Sequence, residues 1–410
     1  MNASLPPRRS FADVDYAEAV RRAEALVPFL REQAAAGEQA THMPQNVVDA
    51  LHASGLFRMQ QPKRWGGMEL DFPAYSETTA ILGRGDASAA LTFINLASHH
   101  RQLAMWAPRA QEEVWGDNPD ALIASGIAYF QGKGRKVDGG IVMSGKWGFS
   151  SGVDPSTWNM LACIVYDGDK PVDWRMCVVP STDYEILNDW QTLGMRGTGS
   201  RSVQCKDVFV PEHRALSMHI ARPGHEFAGL REHTNPMFRV PTPAMGGYGI
   251  GGALLGNAQG ALATMIDAVK GRSTSYTGAK MRDFPTAQLR IGMAAAKIDA
   301  GRVVRERLQD GLRALPARRQ SRSRGAAAPS AQLRSRREAG DRSDRLAARA
   351  GRRQRHLRRF GLAADVSRCT RRCGAFRAQR RCAGNALGAG GDGRGVFEPY
   401  TVGLVRRVTA

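Results

Sequence analysis

At 410 residues and 42% hydrophobic composition, the chain is long enough to bury a large core and hold two or three domains. Its net charge of +20 is uneven: residues 311–410 hold 25 Arg, no Lys and six acidic residues, a net of +19, whereas residues 1–310 hold 33 basic and 32 acidic residues. The first 310 residues therefore read as a near-neutral, cytoplasmic globular protein, and the charge gives no reason to assign them an acidic partner. No N-terminal apolar run resembles a signal peptide and no 18 consecutive apolar residues occur, which excludes a membrane span of the helical kind.

Residues 13–36 predict a helix, with Val20, Ala23, Val27, Leu30 and Ala34 forming one apolar stripe and Pro28 expected to kink it. A second helix is predicted over 44–54, opened by Pro44 and closed by Gly55. A loop follows, ending at Gly66 and Gly67. Helices are predicted over 73–83 and 87–106, with Pro108 and Asn118-Pro119 as breaks. From 121 to 210 the period changes to short alternating runs such as "NMLACIVY" and "SVQCKDVFVP", separated by Gly, Asp and Pro turns, which predicts an antiparallel β domain. Long helical patterns return from 244 to 310. The stretch "GYGIGG" fits a dinucleotide fingerprint through Gly247, Gly249 and Gly252, but no strand precedes it, so its small residues are read as letting helices approach closely.

Cys163, Cys177 and Cys205 lie in strand-like apolar runs and are expected to be reduced core residues. Cys369, Cys373 and Cys382 have one nearby histidine, His356, and no second close pair, so no metal site is expected.

Helices, then strands, then helices is an uncommon order, and the residues carry a resemblance that explains it. "QPKRWGGMELD", "SHHRQLAMWAPRAQEEVWGDNPDALIASGIA", "GGIVMSGKWGFSSGVD" and "DWQTLGMRGTGSRSVQCKDVFVPEHR" resemble the acyl-CoA dehydrogenase fold. More narrowly, they resemble the oxygenase components of two-component flavin-dependent monooxygenases, such as p-hydroxyphenylacetate hydroxylase and the secosteroid phenol hydroxylases. The resemblance runs from about residue 13 to about 305. It implies an α+β chain: an N-terminal helical domain (1–120), a central β domain (121–235) and the first half of a C-terminal helical bundle (236–310). It also implies a homotetramer, reduced FMN or FAD supplied by an NAD(P)H-dependent flavin reductase, O2 as co-substrate, and hydroxylation of a small aromatic, phenolic substrate through a flavin C4a-hydroperoxide.

Residues 311–410 do not continue the resemblance. The family segment Asn-Gly-Ile-Tyr-Asp, written AAC GGC ATC TAC GAC after a C and read one base early, becomes Gln-Arg-His-Leu-Arg, which stands at 354–358. All 45 positions from Gln332 to Phe376 are compatible with the same shift. The segment is therefore read as an out-of-frame translation beginning near 303–318, ahead of a disordered basic tail or an arginine-rich RNA-binding segment. Few aromatic residues are interleaved for base stacking, so nucleic acid is not expected as a partner.

The resemblance also supplies site residues. Ser151, in "GFSSGVD", corresponds to a serine beside flavin N5, with Ser150 next to it. Ser125 corresponds to a flavin-side or substrate-side serine, and His99 to a pocket histidine that contacts the phenolic oxygen and favours the phenolate. Thr198, Gly199 and Ser200 stand where the family cradles flavin with backbone N–H groups and hydroxyls, and Arg272 where a cation meets a flavin phosphate. Trp147, Phe149 and Trp158 are candidates for the aromatic pocket. Without the resemblance, a serine in a Gly-flanked turn is commonly a turn residue, large aromatics in a β domain are commonly core, and His99 and His100, adjacent on a helix, cannot both face one cavity. The chain also departs from the family: "SSGVDPSTW" carries Val153 and Pro155 where relatives often have Cys and His, and the family's C-terminal "RDVHAVAGH" is missing. Two other function classes compete. An acyl-CoA dehydrogenase needs a carboxylate base at the substrate α-carbon, and none stands out. A non-catalytic nucleic-acid-binding protein rests wholly on the basic segment.

Overall fold

The computed structural model describes residues 9–218, 227–240 and 246–313. The segment from 314 to 410, with the three C-terminal cysteines and the end of the window, 303–318, in which the frame change is expected to begin, lies outside the described residues.

Five helices come first. Helix α1, Tyr16–Ala40, is capped by the Asp15 carboxylate, which accepts the Glu18 N–H at 2.8 Å. It is one 25-residue helix continuing past Pro28, because the buried stripe Ala19, Ala23, Leu30 and Gly37 holds it on both sides of the lost hydrogen bond. Helix α2 spans Gln45–Ser54. The loop after it is stapled by the buried Arg58, whose guanidinium donates to Gln61 (2.6 Å), to the Arg9 and Trp65 carbonyls and to Asp120 (3.2 Å). Helix α3, Phe72–Gly83, is buried almost all round. Helix α4, Ala87–Leu103, is capped by Asp86. Pro108, predicted as a break, instead opens a further helix, α5 (Pro108–Trp115). The reason is positional: proline is well suited to the first helical turn, where its missing N–H has no partner to lose.

The β region is one sheet of eight strands: β1 Ile123–Gly126, β2 Gly132–Val137, β3 Gly140–Trp147, β4 Trp158–Asp167, β5 Lys170–Pro180, β6 Glu185–Ile186, β7 Val203–Pro211 and β8 Ala215–Ser217. The order is β6-β7-β3-β2-β4-β5-β8, with β1 also on β4. The sheet is mixed rather than wholly antiparallel, since β1 and β2 both run parallel to β4. Topology forces this. Strand β4 follows β3 through a reversal but lies beside β2, and β3 is antiparallel to β2, so β4 must run with β2. One sheet face carries Ile123, Met160, Ala162 and Val178 against Trp106 and Trp115 of the helical layer. The other carries Ala124, Leu161, Cys163, Cys177 and Cys205 around Trp147. All three of these cysteines are free and buried.

Helices α6, Gly246–Gly271, and α7, Pro285–Arg313, follow. Helix α6 lies against α3 along Gly252, Gly256 and Gly260, one face at spacing four. A Cβ at Gly256 would stand 2.0 Å from the Ala80 carbonyl oxygen, and one at Gly252 2.7 Å from that of Ser76. The glycines of "GYGIGG" thus begin a helix–helix contact. Ile250, Leu254 and Met265 on α6, with Leu289, Met293, Val303 and Val304 on α7, are exposed. Among the described residues no helix is long and apolar enough to cross a membrane.

Candidate functional site

Helix α4 organises the site along one face. Ser88 meets Gly197, Thr92 and Leu96 meet Gly152, and His99 meets strand β1. Thr92 and His99 are seven residues apart, about 10 Å along the axis. The turn 148–153, the segment 196–200 and the start of β1 are thereby gathered on a single helix.

The turn 148–153 leaves β3 through Phe149, which sits at φ +61° and is 76% exposed. Its ring lies edge-on to Trp190 at 5.9 Å. A bulky residue at positive φ is strained, and the surrounding hydrogen bonds hold it there. The Ser150 N–H donates to the Arg201 carbonyl (3.0 Å) and that of Gly152 to the Thr198 carbonyl (3.0 Å). Arg201 in turn pairs with Asp154 at 2.9 Å. The turn and the 196–201 segment are therefore laced together by both backbone and charge.

Their hydroxyls meet in the interior. Ser151 Oγ lies 2.6 Å from Ser200 Oγ, Ser200 Oγ lies 2.7 Å from Thr198 Oγ1, and Thr198 Oγ1 donates to the Met195 carbonyl at 2.8 Å. Ser150 Oγ accepts from Asn159 Nδ2 at 2.9 Å. All five side chains are buried, and Ser151 keeps 7% of its surface. The N–H groups of Thr198 and Gly199 turn inward to the Met195 and Arg196 carbonyls. These two residues therefore offer hydroxyl and shape to a ligand rather than the backbone donors expected of them.

His99 is buried, and its Nδ1 lies 2.6 Å from the Ile123 carbonyl oxygen. A carbonyl only accepts, so Nδ1 carries the hydrogen and Nε2 presents a lone pair. Burial pushes the imidazole down to about 4, against the weaker upward pull of that hydrogen bond. His100 is turned the other way. It stacks on Trp115 and accepts the indole N–H at Nδ1 (3.2 Å), and burial, with Arg58 and His99 nearby, also holds it well below the usual histidine range. The two histidines thus occupy opposite tautomers, and His100 belongs to the core.

Ser125 is half-buried on β1, two residues past Ile123 and in register with Met160. No hydrogen bond joins it or His99 to the hydroxyl cluster among the described residues. Trp158, half-buried, opens β4 opposite Ile123 under the Arg214 guanidinium. Trp147 is a correction to the aromatic-pocket reading. It has no exposed surface, donates to the Ala162 carbonyl at 2.8 Å, and fills the space left by Gly126, Gly132 and Gly145 in the sheet core. Arg272 is exposed just past α6, with its carbonyl accepting from the Met281 N–H. Asn159 was not anticipated. Its signal was a lone amide within the apolar run "WNMLAC", on a strand position whose neighbour two residues on, Leu161, is core.

The donor set fits a flavin in kind. An isoalloxazine ring needs an apolar face and hydrogen-bonding partners at its N5 edge, and the turn offers the exposed Phe149 ring next to the buried hydroxyls of Ser150 and Ser151.

Comparison with known proteins agrees with this arrangement. Residues 17–116 match the acyl-CoA dehydrogenase N-terminal domain family, and residues 248–359 match the acyl-CoA dehydrogenase C-terminal domain family. The second match passes the point, about 305, at which sequence reading ended the resemblance. The chain is 37% identical over 276 residues to the flavin-dependent monooxygenase oxygenase subunit HsaA of Mycobacterium tuberculosis, covering 67% of this chain and 70% of that one. It is 34% identical over 287 residues to the oxygenase component of the FADH(2)-dependent resorcinol hydroxylase of Rhizobium, covering 68% and 70%. The crystal structure of 3-HSA hydroxylase from Rhodococcus sp. RHA1 superposes with a TM-score of 0.69 at 33% identity, covering 74% of this chain and 78% of that one. Helices, mixed sheet and paired glycine-faced helices, with this serine turn between them, are those of a known group: the chain belongs to the acyl-CoA dehydrogenase-fold oxygenase components of two-component flavin-dependent monooxygenases.

Proposed function

We propose that the chain hydroxylates a small phenolic substrate, using O2 and reduced FMN or FAD delivered by a separate NAD(P)H-dependent reductase. When bound, reduced flavin supplies the two electrons that activate O2; one oxygen atom enters the ring and the other leaves as water. The chain's own residues do the rest. His99 accepts or orients the phenolic proton at Nε2, Ser125 lies along β1 from it, and Ser150, Ser151, Thr198 and Ser200 meet the flavin edge beside Phe149. Trp158 is kept as a pocket residue and Arg272 as a phosphate contact.

The observation that carries the reading is the His99 tautomer. An imidazole that is neutral at pH 7, with Nδ1–H fixed to a carbonyl and Nε2 free of that bond, is a proton acceptor within a helix length of the hydroxyl cluster. The test is NADH consumption with an added flavin reductase and a panel of phenols, with 18O2 incorporation read by mass spectrometry. Label in the product supports the reading. Dye reduction by acyl-CoA without hydroxylation replaces it with a dehydrogenase.

The family's homotetramer and a cytoplasmic location are part of the same proposal, as is the absence of a nucleic-acid partner. So is the frame change in residues 311–410. The HsaA match takes up 67% of this chain and 70% of the relative, so the two chains are of similar length and each leaves about a third unmatched. That is the pattern expected when one gene is read out of frame near its end; the family match to residue 359 in the written frame weighs against it.

A further inference from the structure

Each hydroxyl in the cluster has one proton to give, and that fixes the direction of the whole chain. The Met195 carbonyl only accepts, so the Thr198 proton is committed to it at 2.8 Å. The Thr198–Ser200 contact of 2.7 Å then requires the Ser200 proton. The Ser151–Ser200 contact of 2.6 Å requires the Ser151 proton in turn. Any other assignment sets two lone pairs face to face within 2.8 Å, inside a buried region where such a loss is not repaid by water. Ser151, at the open end of the relay, is left with lone pairs and no free proton.

We propose that Thr198 and Ser200 are positioning residues that hold Ser151 as a hydrogen-bond acceptor, and that this makes the site select reduced flavin over oxidised flavin. The chemistry is at N5. Reduced flavin carries a hydrogen there and donates it to Ser151 Oγ. Oxidised flavin presents a lone pair at the same atom, and a serine whose proton is pinned to Ser200 meets it with another lone pair. An oxygenase that takes reduced flavin from solution and must let oxidised flavin go gains both properties from one fixed proton. The inference rests on the reading that Ser151 meets the N5 edge.

The test measures binding, not turnover. Dissociation constants of the full chain for oxidised FMN and FAD, and anaerobically for their photoreduced forms, are measured by fluorescence titration for wild type, Ser151→Ala, Ser200→Ala, Thr198→Val and Ser200→Thr. Freeing the Ser151 proton by Ser200→Ala or Thr198→Val lowers the preference for reduced flavin by about tenfold, the scale of one hydrogen bond, with oxidised flavin binding more tightly. Ser200→Thr, which keeps the hydroxyl, restores the wild-type preference. Equal weakening of both redox forms in Ser200→Ala and Thr198→Val means a merely structural role and overturns the proposal. If Ser151→Ala leaves both affinities unchanged, Ser151 does not meet flavin, and the underlying reading fails instead.

Discussion

The Nδ1 of His99 lies 2.6 Å from the carbonyl oxygen of Ile123, so a side chain of helix α4 is tied to the first strand of the sheet at the edge of the candidate site. The bond selects the tautomer and aims Nε2. Replacing His99 by Ala removes the proton acceptor and leaves the hydroxyl cluster intact. Hydroxylated product per NADH should fall at least about tenfold, the lower end for a lost general base being about a hundredfold when proton transfer limits the rate. Flavin affinity should stay within about twofold of wild type, and hydrogen peroxide should account for the missing product. Parallel loss of flavin affinity and product would assign His99 to flavin binding instead.

The same histidine ties stability to pH. Its folded value is about 4 against an ordinary 6.5, so between these values the unfolded chain binds more protons than the folded one. Stability is then fully present above pH 6.5 and is lost as pH falls toward 4, by about 3 kcal/mol for this group. His100, lowered by burial and nearby positive charge, acts in the same direction. Urea midpoints at pH 7.5, 6.0 and 5.0 should show the decline, and His99→Gln should make it shallower. A His99→Gln profile parallel to wild type would place the acid sensitivity elsewhere.

Much of this was legible before the fold. Pro44 and Gly55, read as the opening and the close of the second helix, stand on either side of α2 at its N-cap and C-cap. The stripe in α1 and the alternation from 121 to 210 also marked their elements. Strand direction was not legible, because alternation is the same in parallel and antiparallel strands and only the placement of β4 beside β2 decides it. Trp147 was misread because a strand aromatic shows its size in the sequence but not the glycines of neighbouring strands, Gly126 and Gly132, that with Gly145 of its own strand make room for it. In the site, motif resemblance picked out Ser151, Thr198 and Ser200 singly. Their proton order depends on a carbonyl, that of Met195, which every residue possesses and no sequence pattern marks.

Gly152 tests the placement of the serine turn. It sits at φ +76°, and a Cβ there would stand 2.7 Å from Thr92 Cγ2 and 3.2 Å from both Leu96 methyl carbons. Gly152→Ala should destabilise the chain by about 1–2 kcal/mol through the left-handed backbone alone, with more from the contact on α4. Adding Thr92→Ser removes that methyl and should recover part of the loss, though not the backbone share. Thermal melts of the two variants decide it. A Gly152→Ala chain as stable as wild type would mean the turn is not held against α4 as described.

The last prediction concerns the C-terminal region. Helices α6 and α7 present Ile250, Leu254, Met265, Leu289, Met293, Val303 and Val304 as exposed side chains. Each large apolar side chain left in water forgoes about 1.5–3 kcal/mol of burial, against a whole-domain stability of about 5–15 kcal/mol. In a helical bundle such faces are covered by further helices with a matching apolar stripe. Residues 311–410 as written carry a net charge of +19 and no Ile, Met or Trp, a composition poorly suited to supplying that stripe. The one-base shift, by contrast, is compatible over all 45 positions from Gln332 to Phe376 with a family-like sequence, which would supply the missing helices. Resequencing the gene is the direct check. Expressed side by side, the frame-restored chain should be soluble and run as a tetramer by light scattering, while the chain as written should give low soluble yield and no defined oligomer. A gene that reads cleanly in the present frame, with the written chain tetrameric and as soluble as its repaired counterpart, would reject the frame change and leave the Arg-rich segment as a native part of the protein.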